Sequence, residues 1–457
     1  MVAITLASLV LSGCGSTSLV STPIENIDTV PLKVSELSRE ASKRWGHADL
    51  MKDTVPGMSV DRAYEELLGK LKVREDVVVA VIDAGIDLEH EDLDGVIWLN
   101  TDEISGNGKD DDNNGYIDDV HGYNFLGGSY HEQMEMARIL RLKLGNADLQ
   151  ERARRELSAE YEQARSALDA YEQYYPALKD ADEAVKKVLG KDSYTKEDVV
   201  EISGASVAMQ QAKGILIPMF GYGSTNEEVL KFFKTGLDYL NAEVNYHLNV
   251  EFNGREVVGD DPYDINSRDY GNGNPMNLVE DESHGTHVAG IIAAERGNGL
   301  GVDGVADHVK IMSIRAVPDG DEYDKDVALA IRYAADNGAR IINASFGKSY
   351  SPNKEWVYEA IKYAARKNVL IVHAAGNDGL DLDDPANPNF PNDQEGTGPE
   401  FTDNVLTVGS LDSNYGSEMV SSFSNYGASN VDVFAPGGGI YSTMPGNAYE
   451  FQGGTSM

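Results

Sequence analysis

Along the chain, short unbroken apolar runs alternate with longer stretches in which apolar positions recur every three or four residues. Residues 77–83, VVVAVID, are a β-branched run that ends in a carboxylate. A run that is apolar at odd and even positions alike must bury both faces, as strands of a parallel sheet do. Similar runs lie at 309–314, 339–344, 369–374 and 404–408. Between them, 326–337 and 354–367 carry the spacing of amphipathic helices. Strand–helix alternation predicts an α/β fold with a doubly wound, mostly parallel sheet. Polar residues at the carboxyl ends of such strands are candidates for chemistry.

The alternation breaks over 131–255. Leu149, Ala153, Leu157, Ala164, Leu168, Tyr171 and Tyr175 fall within an arc of about 100° at helical spacing, with charges opposite. Ser224 followed by Glu227 reads as a capping box that opens a helix running toward His247. This region is expected to be a helical insertion, a hairpin or small bundle, whose stripe packs as core.

The start, MVAITLASLVLSGCGS, has about a dozen apolar residues, too few to span a bilayer and suited to a signal peptide. No later segment is long and apolar enough to span. Leu11-Ser12-Gly13-Cys14 resembles the lipobox of bacterial lipoproteins, although no Lys or Arg precedes the apolar run. That resemblance implies a signal peptide over 1–13, a lipidated Cys14, a tether over 14–44 and a membrane anchorage outside the cytoplasm, at the outer membrane or cell surface. Cys14 is the only cysteine, which rules out an internal disulfide. The 76 acidic residues against 38 basic ones give a net charge of -38, which repels phosphate backbones, so no nucleic-acid partner is expected.

Three segments carry the chemistry, in the order Asp, His, Ser. They are 81–87 (VIDAGID), 284–290 (HGTHVAG) and 453–457 (GGTSM). A serine hydroxyl is a weak nucleophile at neutral pH and needs an adjacent base. Histidine titrates near that pH, and a buried carboxylate can fix its tautomer. Each segment alone is a common pattern, but together they resemble the subtilisin-like serine proteases. The likeness covers the chain from about Trp45 onward, outside the insertion. It implies a secreted serine endopeptidase acting on polypeptides, with Ser456 as nucleophile, His284 as base and then acid, and Asp83 as orienting carboxylate. His287 is then a packed helix residue.

The resemblance extends further. Asn377, in 374–378 (AAGND), matches the family's oxyanion donor. Ser345, Phe346 and Gly347 match the strand edge that pairs with extended peptide. Ala374, Ala375 and Gly376 would line the primary side-chain pocket, with room for a large apolar residue. Phe390-Pro391 and residues 434–437 match structural segments. Two departures stand out. Ala84 occupies a place where Ser or Thr is usual. The chain ends one residue after Ser456, where the family continues into a helix, so the sequence reads as cut off after its nucleophile and the chain as written is expected to be a poor catalyst.

Structural calcium is expected at two places. Residues 110–119, DDDNNGYIDD, are dense in oxygen donors around a glycine, and calcium takes about six to eight oxygens. Asp110, Asp112, Asn114 and Asp119 are the candidate ligands. The spacing is not that of an EF-hand. The second place comes from the family resemblance, in which Asn298 and Asp92 match a calcium loop. The competing functional reading is a non-catalytic surface lipoprotein that uses this scaffold for binding.

Overall fold

The computed structural model describes residues 36–70, 75–203, 206–396 and 398–457. Cys14, the expected signal peptide and most of the expected tether lie outside these residues.

Three short helices, α1 (Arg39–Ser42), α2 (Leu50–Asp53) and α3 (Val60–Glu66), precede the first strand, β1 (Val77–Asp83). Among the described residues the main sheet has seven strands in the order β2-β3-β1-β4-β5-β6-β7, and every pairing is parallel. The other members are β2 (Gly122–Asn124), β3 (Val309–Arg315), β4 (Ile341–Ala344), β5 (Leu370–Ala374), β6 (Val405–Leu411) and β7 (Val433–Pro436). Each predicted run is a strand to within a few residues at its ends. The very short β2, and β7 with its proline, carry too little pattern to announce themselves.

β1 shows why its run is continuous. Ala80 and Ile82 pack with α10 (Asp324–Asp336) and α11 (Lys354–Arg366) on one face. Val79 and Val81 pack against α9 (His284–Ala293) on the other. With both faces covered, no polar position is tolerated until the strand ends at Asp83. Ile82 and Val81 are fully buried.

Among the described residues, five helices occupy the region that breaks the alternation: α4 (Glu135–Leu142), α5 (Ala147–Leu189), α6 (Lys196–Glu201), α7 (Val207–Met219) and α8 (Asn226–Ala242). The 43-residue α5 serves two cores. Its first half, with Ala153, Ala164 and Leu168, packs on Met136 and Ile139 of α4, on Val244 just beyond α8, and on Tyr350 of the main body. Its second half, with Leu178 and Val185, packs with Met209, Leu216, Val229 and Phe233 of α7 and α8. The cap of α8 corrects the sequence reading by one residue. Thr225 is the N-cap and accepts from Glu228 N at 3.3 Å, while Glu228 reaches back to Ser224 N at 2.7 Å. Ser224 and Glu227 obey the same spacing, but register is set by which hydroxyl meets the helix axis. Beyond α8 the chain makes one π-turn over Glu243–His247.

After β7 comes an antiparallel hairpin, β8 (Ile440–Met444) and β9 (Ala448–Gln452), that lies on α9. Ser442 Oγ and Thr443 Oγ1 donate to the carbonyls of His287 and Thr286 at 2.8 and 2.7 Å. Among the described residues, no helix is long and apolar enough to cross a membrane.

Candidate active site

Asp83 stands at the carboxyl end of β1 and His284 at the first turn of α9. Asp83 is 2% exposed. Both of its carboxylate oxygens lie 2.9 Å from His284 Nδ1. The backbone N–H of Ala84 donates to Asp83 Oδ1 at 2.8 Å, so a main-chain donor serves the carboxylate at the residue that lacks the usual hydroxyl. Burial pulls the His284 pKa down, but the charge and hydrogen bond of Asp83 outweigh it, and the net direction is above the ordinary value. The other ring nitrogen is thereby left to accept a proton.

Ser456 is held by Ser345, the residue that follows β4. Ser345 Oγ donates to the Ser456 carbonyl at 2.9 Å, and Ser456 Oγ donates to the Ser345 carbonyl at 3.2 Å. The structure does not join Ser456 to His284: among the described residues no hydrogen bond links them. In a free site such bonds are often loose and form only with substrate.

Asn377 is oriented by its neighbours. Its Oδ1 accepts from both Thr455 N at 2.9 Å and Thr455 Oγ1 at 3.0 Å. Two donors on one atom identify that atom as the oxygen, so the amide nitrogen is the free end. A Cβ placed on Gly454 would lie 3.4 Å from that nitrogen, so Gly454 keeps the space beside it open. Ala374 and Gly376 line the floor of a cleft of about 490 Å³ that reaches Ser456, whereas Ala375, also expected there, is fully buried behind it. The sequence did not announce the two asparagines that hold this floor. Asn389 Nδ2 donates to the carbonyls of Ala374 and Ala375 at 3.1 and 3.0 Å, and Asn425 Nδ2 donates to Ala375 O at 2.9 Å. Gly376 is required here, because its φ is +98° and a Cβ would meet Asn425 Nδ2 at 2.4 Å.

The strand edge is less open than its motif implies. Ser345 O is engaged by Ser456, and Phe346 O lies 2.9 Å from His373 Nε2. Gly347 is the member of this stretch whose backbone has no hydrogen bond among the described residues. The cleft walls combine Met134, Met136, Leu380 and Leu382 with the carboxylates of Glu156, Glu160, Asp321 and Asp378. Burial and the charges of Glu156 and Asp321 together raise the Glu160 pKa. Room for a large apolar residue was expected, but the walls were not foreseen, and the acidic part least of all, because Glu156 and Glu160 come from α5, far away in sequence.

A model of the subtilase family (peptidase S8) matches residues 74–457. The chain belongs to the subtilase family. It is 37% identical over 51% of its length to a thermophilic serine proteinase of Bacillus sp. strain AK1, covering 50% of that protein. It is 39% identical over 38% of its length to thermitase of Thermoactinomyces vulgaris, covering 56% of it. A solved cold-adapted subtilisin-like serine proteinase matches 38% of the chain and 56% of that structure, at 32% identity and a TM-score of 0.31. The chain thus spans about half the length of these curated relatives.

Two further features of this subtilase surround its dyad. His287, one turn beyond His284, is fully buried; burial pulls its pKa down to about 4, and its Nε2 lies 3.2 Å from Glu450 O. Behind the dyad, the guanidinium of Arg315 is buried and paired with Glu282. It also donates to Ala84 O at 3.2 Å and to Ser129 O at 2.7 Å. Arg315 is register partner to Asp83 across β1 and β3. Neither residue was singled out by the sequence, since a lone Arg at a strand end and one Glu in an acidic loop carry no pattern.

The acidic loop is only partly as expected. Oxygens of Glu103, Asp112 and Asp119 lie within 4.8 Å of one another. Glu103 was not foreseen; its Oε2 is buried without a hydrogen-bond partner. Two expected ligands turn elsewhere. Asp110 folds back on its own turn, accepting from Asn114 N at 3.0 Å and Gly115 N at 2.9 Å. Asn114 presents its amide nitrogen, not its oxygen, to Asp112 and Asp119, while its Oδ1 accepts from Tyr116 N at 2.8 Å. Asp119 is buried, which pushes its carboxyl up to about 6, although Tyr333 and Asn114 donate to it. At the second place, Asn298 Nδ2 donates to Asp92 Oδ1 at 2.7 Å and Val302 N to Oδ2 at 3.1 Å, which closes the loop on a fully buried carboxylate.

Proposed function

We propose that this subtilase is a serine endopeptidase that cleaves internal bonds of polypeptides through an acyl-enzyme. The observation that carries the reading is the buried Asp83 carboxylate, both oxygens of which meet Nδ1 of a half-exposed His284. The roles follow from the chemistry. Ser456 Oγ attacks the scissile carbonyl and passes its proton to His284 Nε2. Asp83 holds the tautomer and stabilises the imidazolium that results. The freed amide of Asn377 and the backbone N–H of Ser456 donate to the oxyanion. His284 then returns the proton to the leaving amine, and water repeats the sequence to release the acid. The Ser456–Ser345 hydrogen bond is the one observation on the side of the alternative, a binding scaffold without catalysis, since the hydroxyl must leave Ser345 O to reach His284.

A fluorophosphonate separates the two, because it reacts only with an activated serine. The whole protein is expected to be labelled at Ser456. Asn377→Ala should slow peptide hydrolysis about a hundred- to a thousandfold, the cost that loss of the equivalent donor carries in subtilisin itself. An unlabelled wild type with intact near-UV dichroism would leave the binding scaffold as the surviving reading.

We also propose that calcium binds the Glu103, Asp112 and Asp119 cluster as a structural ion. The support is that three carboxylates, two of them buried, converge with one oxygen unpartnered, and a divalent cation would discharge them. A cation that binds only the folded state stabilises it by about 2.7 kcal/mol at a hundredfold excess over Kd. Thermal melts in calcium should therefore lie several degrees above melts in chelator, and Glu103→Gln should shrink the difference. Superimposable melts would refute the site.

A further inference from the structure

The π-turn at the end of α8 delivers His247 to a place where two other potential ligands already stand. His131 lies just ahead of α4, and Asp319 lies in the loop after β3. One nitrogen of each ring and one oxygen of Asp319 fall within 4.8 Å of one another. Both rings converge on the same atom: Asp319 Oδ2 is 2.6 Å from His131 Nδ1 and 3.1 Å from His247 Nε2.

The two contacts differ in kind. The first is a hydrogen bond. The second is an ion-pair contact that lacks hydrogen-bond geometry: His247 is 6% exposed, and its buried Nε2 has no hydrogen-bond partner. A buried, unpartnered polar nitrogen is rare, because its lost hydration is not replaced. Here that nitrogen lies within 4.8 Å of a ligand atom of both His131 and Asp319. The backbone around this space is fixed. Met134 N donates to His247 O at 2.8 Å, Glu132 N to Asp319 O at 2.8 Å and Asp319 N to Tyr130 O at 3.0 Å. The His131 ring is stacked on Tyr246, with centroids 4.0 Å apart. A π-turn is uncommon, and where one occurs inside a helix it often re-aims a side chain for function.

We propose that His131, His247 and Asp319 form a binding site for a borderline divalent cation of the Zn2+ class, separate from the cleft and from the acidic loop. Two imidazoles and a carboxylate suit that class, whereas calcium and magnesium favour all-oxygen sets. His131 and Asp319 are 28% and 32% exposed, which leaves a side open for water as fourth ligand. On binding, the cation displaces the proton shared by His131 and Asp319. The 2.6 Å contact then opens to about 3.3 Å, the separation of two ligands each about 2.05 Å from a tetrahedral centre. The ion would tie the two ends of the helical segment to the loop after β3, which also carries Asp321 of the cleft wall.

The test uses the full chain, stripped with chelator, saturated with calcium to occupy oxygen sites, and titrated with zinc chloride in a calorimeter. About one equivalent should bind, with release of protons. Cobalt chloride should give the visible bands of a tetrahedral ion with nitrogen ligands. His247→Gln, His131→Gln and the near-isosteric Asp319→Asn should each weaken zinc more than about tenfold, since even residues that merely support a metal ligand cost that much. Their response to calcium in thermal melts should stay as in wild type, which reports that they fold. A wild type that takes up no zinc in the presence of calcium overturns the proposal, as do folded variants that bind zinc as tightly as wild type. Should a histidine variant not fold, Asp319→Asn and the cobalt spectrum of the wild type decide alone.

Discussion

Asp83→Asn is expected to lower kcat about ten-thousandfold while leaving the fold intact. The carboxylate is an acceptor at both oxygens, and both lie 2.9 Å from His284 Nδ1. It therefore requires a proton on Nδ1 and leaves Nε2 free to take one from Ser456. An amide of the same shape can turn its NH2 toward the ring instead, which selects the opposite tautomer and leaves Nε2 protonated and useless as a base. The pH profile carries a second signature. Burial lowers the His284 pKa, the Asp83 charge and hydrogen bond raise it more, and the net direction is upward. Activity needs the neutral ring, so kcat/KM should fall in acid through a pKa above about 6.5. Removing the Asp83 charge moves that limb to lower pH. The stability contribution has the opposite sense: a raised histidine pKa favours the folded state fully below the unfolded value, and the benefit is lost as pH rises through the folded one. Steady-state kinetics of both forms between about pH 5 and 9 check this. A variant with more than about a tenth of wild-type activity, or with an unmoved acid limb, would show that Asp83 does not set the tautomer.

Glu282→Ala should cost about 3–5 kcal/mol of stability, the largest loss expected from any single polar substitution near the site. Glu282 is 4% exposed and Arg315 fully buried. Truncating the carboxylate leaves the guanidinium in the interior with only neutral partners, among them Asn124 Oδ1 and Gly127 O, both at 3.3 Å. It also frees Leu278 N and Val279 N, which donate to the second carboxylate oxygen. Activity should fall too, since Glu282 stands two residues before His284 and Arg315 holds the carbonyl just after Asp83. Replacing both partners, as Glu282→Leu with Arg315→Met, should cost less than Glu282→Ala alone, because no charge is then left buried. Urea unfolding of Glu282→Leu, Arg315→Met and the double closes the cycle. A single-variant loss below about 1 kcal/mol would mean that water reaches the guanidinium.

Much of this protein was legible from short stretches of sequence. The run 77–83 announced β1 because burial on both faces forbids polar residues locally, and the same rule located β3 to β6. The stripe from Leu149 to Tyr175 announced α5, since helical periodicity is set by 3.6 residues per turn and needs no distant partner. Asp83, His284, Asn377 and Ser456 were named because their short segments, each common alone, together resemble the subtilisin-like serine proteases.

What the sequence left open depends on atoms that meet across long separations. His284 and Asp83 are 201 residues apart, and only the fold shows that both carboxylate oxygens serve one nitrogen. Arg315 with Glu282, Asn389 beneath Ala374, and Glu103 beside Asp112 carry no local pattern, because a single polar residue reads alike whether it is solvated or buried against a partner. The amide direction of Asn114 and the choice of Thr225 over Ser224 were decided by which donors stood nearby. His131 and Asp319, 188 residues apart, became a candidate metal site only when a π-turn swung His247 toward them. Periodicity is written locally, since each residue's burial follows from its own element. Coordination and pairing are written in the packing of one element on another, so they appear only once the chain has folded.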